Sequence, residues 1–284
     1  MIRKLVAAAI VWTSVASAFA QEPVGEIARD TPAARAASGD VSGSPDQDSS
    51  DETKPRTPPH TGLRALLGGV VDDFKSVPSI TNTYIALAGG AGALAVHPFD
   101  ATLNEHLRSH YTLVNSIYAP AKYFGDTPEQ VGLSLATYAW GRIFDEPKVS
   151  HLGMDLLQSQ IVAEVIVDAL KITVRRDRPD NSQGSWNFSF PSGHSAQTFA
   201  AATVIERHLG WKRAALAYLV AAYVASSRLH DNVHYGSDVV FGAALGTIAG
   251  RTVTRHGPNA WALVPTTVPG GGFAIVAVRA SSAD

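Results

Sequence analysis

Three short stretches of this chain hold residues whose types and spacing could act together on an anion. The first is Lys171 with Arg178-Pro179, the second Pro191-Ser192-Gly193-His194, and the third Ser227-Arg228 followed by His234 and Asp238. Lys171 and Arg178 are seven positions apart, nearly two helical turns, so both side chains project from one stripe while a helix lasts. Pro179 disfavours helical geometry at Arg178 and marks that helix's end. Two cations at a helix end clamp a dianion; the competing reading is a solvated basic patch, since Arg175 and Arg176 lie between them. In the second stretch Gly193 lets a ligand approach the backbone, and free amides at a helix start attract anions. Ser192 adds a hydroxyl and His194 a proton donor, unless the tetrapeptide is only a capping turn with an incidental histidine. In the third, His234 and Asp238 are four apart, so on a helix they share a face and the carboxylate can accept from one ring nitrogen. The other nitrogen is then a nucleophile or a base, and Arg228 brings a third cation. Taken alone, the pair reads as a structural histidine at a helix start.

Together the clusters point to phosphoryl transfer without a metal, in which the protein positions the phosphoryl group and neutralises charge on its equatorial oxygens. Three basic residues, an anion-receptive helix start and two histidines suffice. Geometry leaves open which histidine attacks; Asp238 favours His234.

The three clusters in this order resemble the signature of the phosphatidic acid phosphatase type 2 and vanadium haloperoxidase superfamily. All its motif positions are present: Lys171, Arg178, Pro179, Pro191, Ser192, Gly193, His194, Ser227, Arg228, His234 and Asp238. The resemblance runs from about Pro78 to Arg255 and implies an all-α helical bundle with the site between its central helices. It further implies that His234 attacks phosphorus and Asp238 orients it. Lys171, Arg178 and Arg228 would hold the phosphoryl oxygens, with Ser192 and the Gly193 backbone completing the cradle. His194 would protonate the leaving alkoxide and then activate water against a phosphohistidine, and no cofactor or metal is implied.

Some expectations go further. A neutral His234 and a protonated His194 predict an activity maximum at mildly acidic to neutral pH. Glu164 and Asp168 lie on the stripe of Lys171, where they hold its ammonium or are ordinary surface charge. His97, His106, His110, His151, His208 and His256 share no metal-ligand spacing, and His230 is the one extra histidine placed to touch substrate. Trp186, Phe188 and Phe190 form an apolar wall beside the site or anchor their loop to the core.

The elements that must position these groups are helical. Apolar residues recur at helical spacing over 63–77, and further helical stretches cover 84–96, 101–110, 129–143, 154–174, 195–208, 214–226 and 237–253. Their apolar pieces are short for a membrane span and carry Glu164, Asp168, Gln197 and Gly242, which favours a soluble bundle. Trp261–Val268 and Phe273–Arg279, separated by Pro269-Gly270-Gly271, read as a C-terminal β-hairpin. Arg3 and Lys4, an apolar run to Val15 and Ala18-Phe19-Ala20 read as a signal peptide cleaved after Ala20. Residues 21–60 lack large apolar side chains and read as a disordered linker, leaving 61–256 as the helical domain and 257–284 as its extension.

The 284 residues are 45% hydrophobic with a net charge of −2, enough for one core and no pointer to a nucleic-acid partner. The absence of cysteine excludes disulfides, thiolate metal sites and a cysteine nucleophile. The expected protein is an exported phosphatase, periplasmic or secreted, acting on a phosphorylated small molecule or lipid phosphate, with its oligomeric state open. Three alternatives compete. An inner-membrane phosphatase would act on lipid phosphates or undecaprenyl pyrophosphate from the periplasmic side. A haloperoxidase would hold vanadate in the same cradle, although such enzymes are usually much longer. A non-catalytic phosphate-binding or envelope protein would be expected to have lost a nucleophile or a cation.

Overall fold

The computed structural model describes residues 61–108, 111–182 and 187–255, with the backbone alone of 261–267 and 273–279. The proposed signal peptide and linker therefore lie outside the described residues, as do His110, Trp186 and His256. Among the described residues the helices are α1 (Leu63–Ser76), α2 (Ile80–Val96), α3 (Asp100–Leu107), α4 (Thr112–Tyr118), α5 (Ala121–Gly125) and α6 (Thr127–Ile143). They continue as α7 (Pro147–Val174), α8 (Gly193–Leu209), α9 (Trp211–His230) and α10 (Gly236–Val253). The short α4 and α5 carry too few turns for a periodic sequence signal. Backbone strands β1 (Trp261–Thr267) and β2 (Phe273–Arg279) pair antiparallel.

At the centre stands α8, packed by α7, α9 and α10, while α10 also packs on α2 and α7 on α6. Small residues let these axes approach. A Cβ at Gly242 would meet the Ser192 carbonyl, at Gly246 that of Ala196, and at Gly250 that of Ala200, so one glycine face of α10 lies directly on the α8 backbone. Leu152, Val162, Val167, Ala196, Ala200, Val204, Val224, Ala249 and Val253 fill the interior. Gln160 and Gln197 are also buried there and bridge α7 to α8 by each donating to the other's carbonyl.

Two local features aim the site. The α7 helix ends four residues before Arg178: Arg175 adopts φ 51° and its amide bonds the Lys171 carbonyl at 2.9 Å. The helical stripe expected to join Lys171 to Arg178 is therefore broken, because the left-handed residue turns the chain across the bundle end. In addition, α8 begins at an N-cap, Ser192, whose own amide donates to the Asp238 carbonyl at 3.1 Å, tying the starts of α8 and α10 together.

No single helix among the described residues is long and apolar enough to cross a membrane. The pair Leu63–Ser76 and Ile80–Leu107, bent by 68°, passes that test only when taken together.

Candidate active site

The expected residues gather at one end of the bundle, brought there by the C-terminal ends of α7 and α9 and the N-terminal ends of α8 and α10. A Cβ on Gly193 would stand 3.6 Å from Lys171 Nζ, so the ammonium lies over the helix start. In that first turn the amides have no partner within the helix and point outward. The charges of Arg228, Lys171 and Arg178 all act on His194, and those of Arg178 and Lys171 act on His234, so three separate elements deliver cations to one spot.

Each cation is positioned. Arg228, 6% exposed, donates to Ser227 Oγ at 3.1 and 3.0 Å and to Asp231 at 2.8 Å, so it is held by its own helix end. Arg178 donates from Nε to the Asn187 carbonyl at 3.3 Å, across the loop that leads to Ser192. Burial lowers the Lys171 pKa while Asp168 and Glu164 oppose that shift. Asp168 stands 4.0 Å from the ammonium and is mostly exposed. Glu164 accepts from Gln197 at 2.5 Å and Thr127 at 3.2 Å, so its carboxylate first ties α6 and α8 to α7.

His234 differs from the expected arrangement. It precedes α10, whose N-cap is Tyr235, so His234 and Asp238 do not share a helical face. His234 Nδ1 lies 3.8 Å from Asp238 Oδ2, beyond hydrogen-bond reach, and 2.7 Å from the carbonyl of Ser189. A carbonyl only accepts, so Nδ1 carries the hydrogen and the lone pair sits on Nε2. Burial, followed by the Arg178 and Lys171 charges, depresses the His234 pKa against the pull of Asp238, leaving the ring neutral.

Asp238 is instead the hub of a network the sequence did not reveal. Its Oδ2 accepts the Tyr235 amide at 2.8 Å, and its Oδ1 accepts from Arg176 at 2.6 Å. Arg176 also donates to Asp100 at 2.8 Å and to Ser237 Oγ at 2.7 Å, and it stacks 4.0 Å from the Tyr235 ring centroid. Asp100 in turn accepts from the Ser237 amide at 2.9 Å and hydroxyl at 2.6 Å. Burial opposes the Asp100 charge, but Arg176 and Ser237 outweigh it and hold the carboxyl below its usual range. Arg176 had the aspect of a solvated residue in a basic run; its partner Asp100 is 76 positions away and leaves no local signal.

His194 packs against Gly125, where any side chain would strike its ring, and places Nε2 2.9 Å from Asp126 Oδ1 without hydrogen-bond alignment. Burial, then Arg228, His234, Lys171 and Arg178, lower its pKa to about 3. Ser192 is fully buried with its hydroxyl on the Ser195 amide at 3.5 Å, so it caps α8. His230 stacks on Tyr118 and meets the Leu107 carbonyl at 3.1 Å, buried in the scaffold. Phe190 stacks on Phe241 and anchors its loop to α10. Between them these groups bring three cations to two imidazoles, one of which, His234, keeps its lone pair on Nε2.

Comparison with known proteins finds relatives for the segment that carries the site. Residues 152–262, which hold the three clusters, match the PAP2 superfamily. It is 35% identical over 117 residues to lipid A 1-phosphatase of Porphyromonas gingivalis, covering 40% of this chain and 23% of that one. It is 38% identical over 102 residues to decaprenylphosphoryl-5-phosphoribose phosphatase of Mycobacterium tuberculosis, covering 34% of this chain and 56% of that one. The chain thus matches about a quarter to about half the length of these relatives. Its fold is similar to that of a transmembrane PAP2 type phosphatidylglycerolphosphate phosphatase from Bacillus subtilis, with a TM-score of 0.52 and 23% identity over 61% of this chain and 92% of that one.

Proposed function

We propose that this protein is a phosphoric monoester hydrolase that works without a metal at its reaction centre and forms a phosphohistidine on His234 Nε2. One observation carries the reading: cations from three elements converge on a neutral, carbonyl-oriented His234 and on His194. Lys171, Arg178 and Arg228 would hold the phosphoryl oxygens with the first-turn amides of Gly193 and His194. His194 would protonate the leaving oxygen and then take a proton from water. Ser192 would serve as the cap that fixes this turn, and Asp238 as the group that fixes the α10 start behind His234. The relatives' names are those of phosphatases, which favours hydrolysis over vanadate-dependent halide oxidation.

The substrate we infer is a lipid phosphate. The named relatives act on lipid-linked phosphates, and apolar side chains stand exposed on segments beside the site: Leu94 and Phe99 ahead of Asp100, Leu113 and Ile117 on α4, and Ile172 and Val174 just past Lys171. An exported domain with these residues against the membrane surface, preceded by the signal peptide and the 21–60 linker, accounts for both. The C-terminal strand pair is an extension that follows the 61–256 domain. The bent pair of Leu63–Ser76 and Ile80–Leu107 supports a second reading, insertion into the inner membrane.

The test is phosphate release by purified protein from phosphatidic acid in mixed micelles and from p-nitrophenyl phosphate, in EDTA, beside His234→Ala. Turnover in EDTA that the variant loses, with the lipid preferred, is the expected result; no turnover of either substrate sinks the proposal. Alkaline extraction of membranes separates surface binding from insertion.

A further inference from the structure

Away from the phosphate-facing end, His151, Asp155 and His208 meet inside the bundle. His151 and Asp155 are four apart on α7, and His208 lies in the last turn of α8, 57 positions further along the chain. Side-chain exposures are 1%, 0% and 7%. Both imidazoles present the same nitrogen to the same oxygen: His208 Nε2 is 2.8 Å and His151 Nε2 3.4 Å from Asp155 Oδ2. The rings meet edge to face, 4.8 Å between centroids, and one ligand atom from each residue lies within 4.8 Å of the other two. Tetrahedral ligands about 2.0–2.2 Å from zinc stand roughly 3.3–3.5 Å apart, so small side-chain rotations close this triangle on an ion. A second carboxylate is at hand. Asp73 of α1 feels the charge of Asp155, and its Oδ2 is buried without a hydrogen-bond partner.

We propose that His151, Asp155 and His208 bind one divalent transition-metal ion that clamps α7 to α8. Two imidazoles with carboxylate oxygens suit zinc best among common ions. A divalent charge also relieves the repulsion of two carboxylates set together in a buried site. The site lies twenty residues before Lys171 on α7, about 30 Å along the helix, so the ion takes no part in phosphoryl transfer. Its removal acts on stability and leaves turnover alone.

The full chain, purified without a histidine tag and stripped with EDTA, is titrated with zinc alone. The expected result is one zinc per chain by elemental analysis and a Tm raised by about 5–10 °C at a hundredfold excess over Kd. His151→Gln/His208→Gln is expected to lose both the zinc and the Tm response, while phosphate release at 25 °C stays within about twofold of the parent. Should that variant fail to fold, X-ray absorption at the zinc edge of the parent protein decides: two imidazole ligands are expected. An apoprotein that takes up no stoichiometric zinc, a variant that keeps it, or a zinc shell without two imidazoles overturns the proposal.

Discussion

This chain contains two buried His-x-x-x-Asp pairs, and the fold puts them to different ends. His151 and Asp155 both lie within α7, so their side chains meet along one helical face, and the carboxylate is shared with His208 from α8. His234 and Asp238 straddle a helix start, and their side chains stand 3.8 Å apart, past hydrogen-bond reach. The histidine turns to a backbone carbonyl, and the aspartate is taken by the helix amide and by Arg176. The first pair closes on itself; the second leaves a lone pair facing a cationic cleft. Identical spacing thus gives a clamp in one place and a nucleophile in the other, decided by whether a helix begins between the two residues.

The sharpest test of that contrast is the attacking nitrogen. His234→Ala is expected to lower kcat by roughly 10⁴-fold or more, since it removes the group that attacks phosphorus. Rapid quench of the parent protein with labelled substrate is expected to trap an acid-labile phosphohistidine substituted at Nε2, because Nδ1 is committed to the Ser189 carbonyl. Substitution at Nδ1 would mean that the carbonyl contact is not what orients the ring.

His194 comes next in size. With its pKa lowered to about 3, the free protein holds it neutral at mildly acidic pH, which differs from the protonated donor expected from sequence. The donor proton then arrives with the substrate, because a phosphate monoester keeps one proton below a second pKa of about 6 and the bound anion cancels the cations that depress the ring. So kcat/KM is expected to fall about tenfold per pH unit above about 6, with its acid limb well below the ordinary histidine range. His194→Asn is expected to cost about 10²–10³-fold with an alkyl phosphate and far less with p-nitrophenyl phosphate, whose leaving group needs little protonation. Equal losses on both would remove His194 as the proton donor. The sign of the linked stability effect is also fixed. A ring with its folded pKa below 6.5 binds fewer protons folded than unfolded, so stability falls as pH drops through 6.5, and His194→Asn flattens that slope.

Arg176 tests the scaffold behind the nucleophile. It touches Asp238, Asp100 and Ser237, so Arg176→Met is expected to lower kcat about 10²-fold through misplacement of the α10 start, with KM changed less than about threefold. Arg176→Lys, which restores one charge and part of the contact set, is expected to recover some of that loss. A rise in KM with kcat unchanged would place Arg176 on the phosphate instead.

These residues also mark what could be read from the sequence. Lys171, Arg178, Ser192, Gly193, His194, Arg228, His234 and Asp238 were legible because each carries its chemistry in its side chain and their order is distinctive. The long helices were legible from apolar periodicity. The Ser189 carbonyl was not, since any residue type supplies one. Nor was Asp100 or His208, whose partners lie 76 and 53 positions away and meet them only after α3, α7, α8 and α10 have packed. The α7 end at Val174 was legible from the periodicity; its cause was not, because Pro179 gave a visible stop further on while the left-handed turn at Arg175 gave none.

The smallest expected effect concerns the two carboxylates near Lys171, where the buried-versus-exposed contrast recurs on one helix stripe. Asp168 is 56% exposed and 4.0 Å from the ammonium, a distance and exposure at which water screens most of the attraction. Asp168→Asn is therefore expected to change kcat/KM by less than about twofold. Glu164, tied to Thr127 and Gln197, acts on Lys171 from a drier position and also braces α6 against α8. Glu164→Gln is expected to raise KM by about two- to threefold and to lower the Tm slightly, because an amide cannot accept both bonds as well as a carboxylate. If Asp168→Asn proves the costlier of the two, the ammonium is held from the solvent side, and burial is not what sets the weight of a charge at this site.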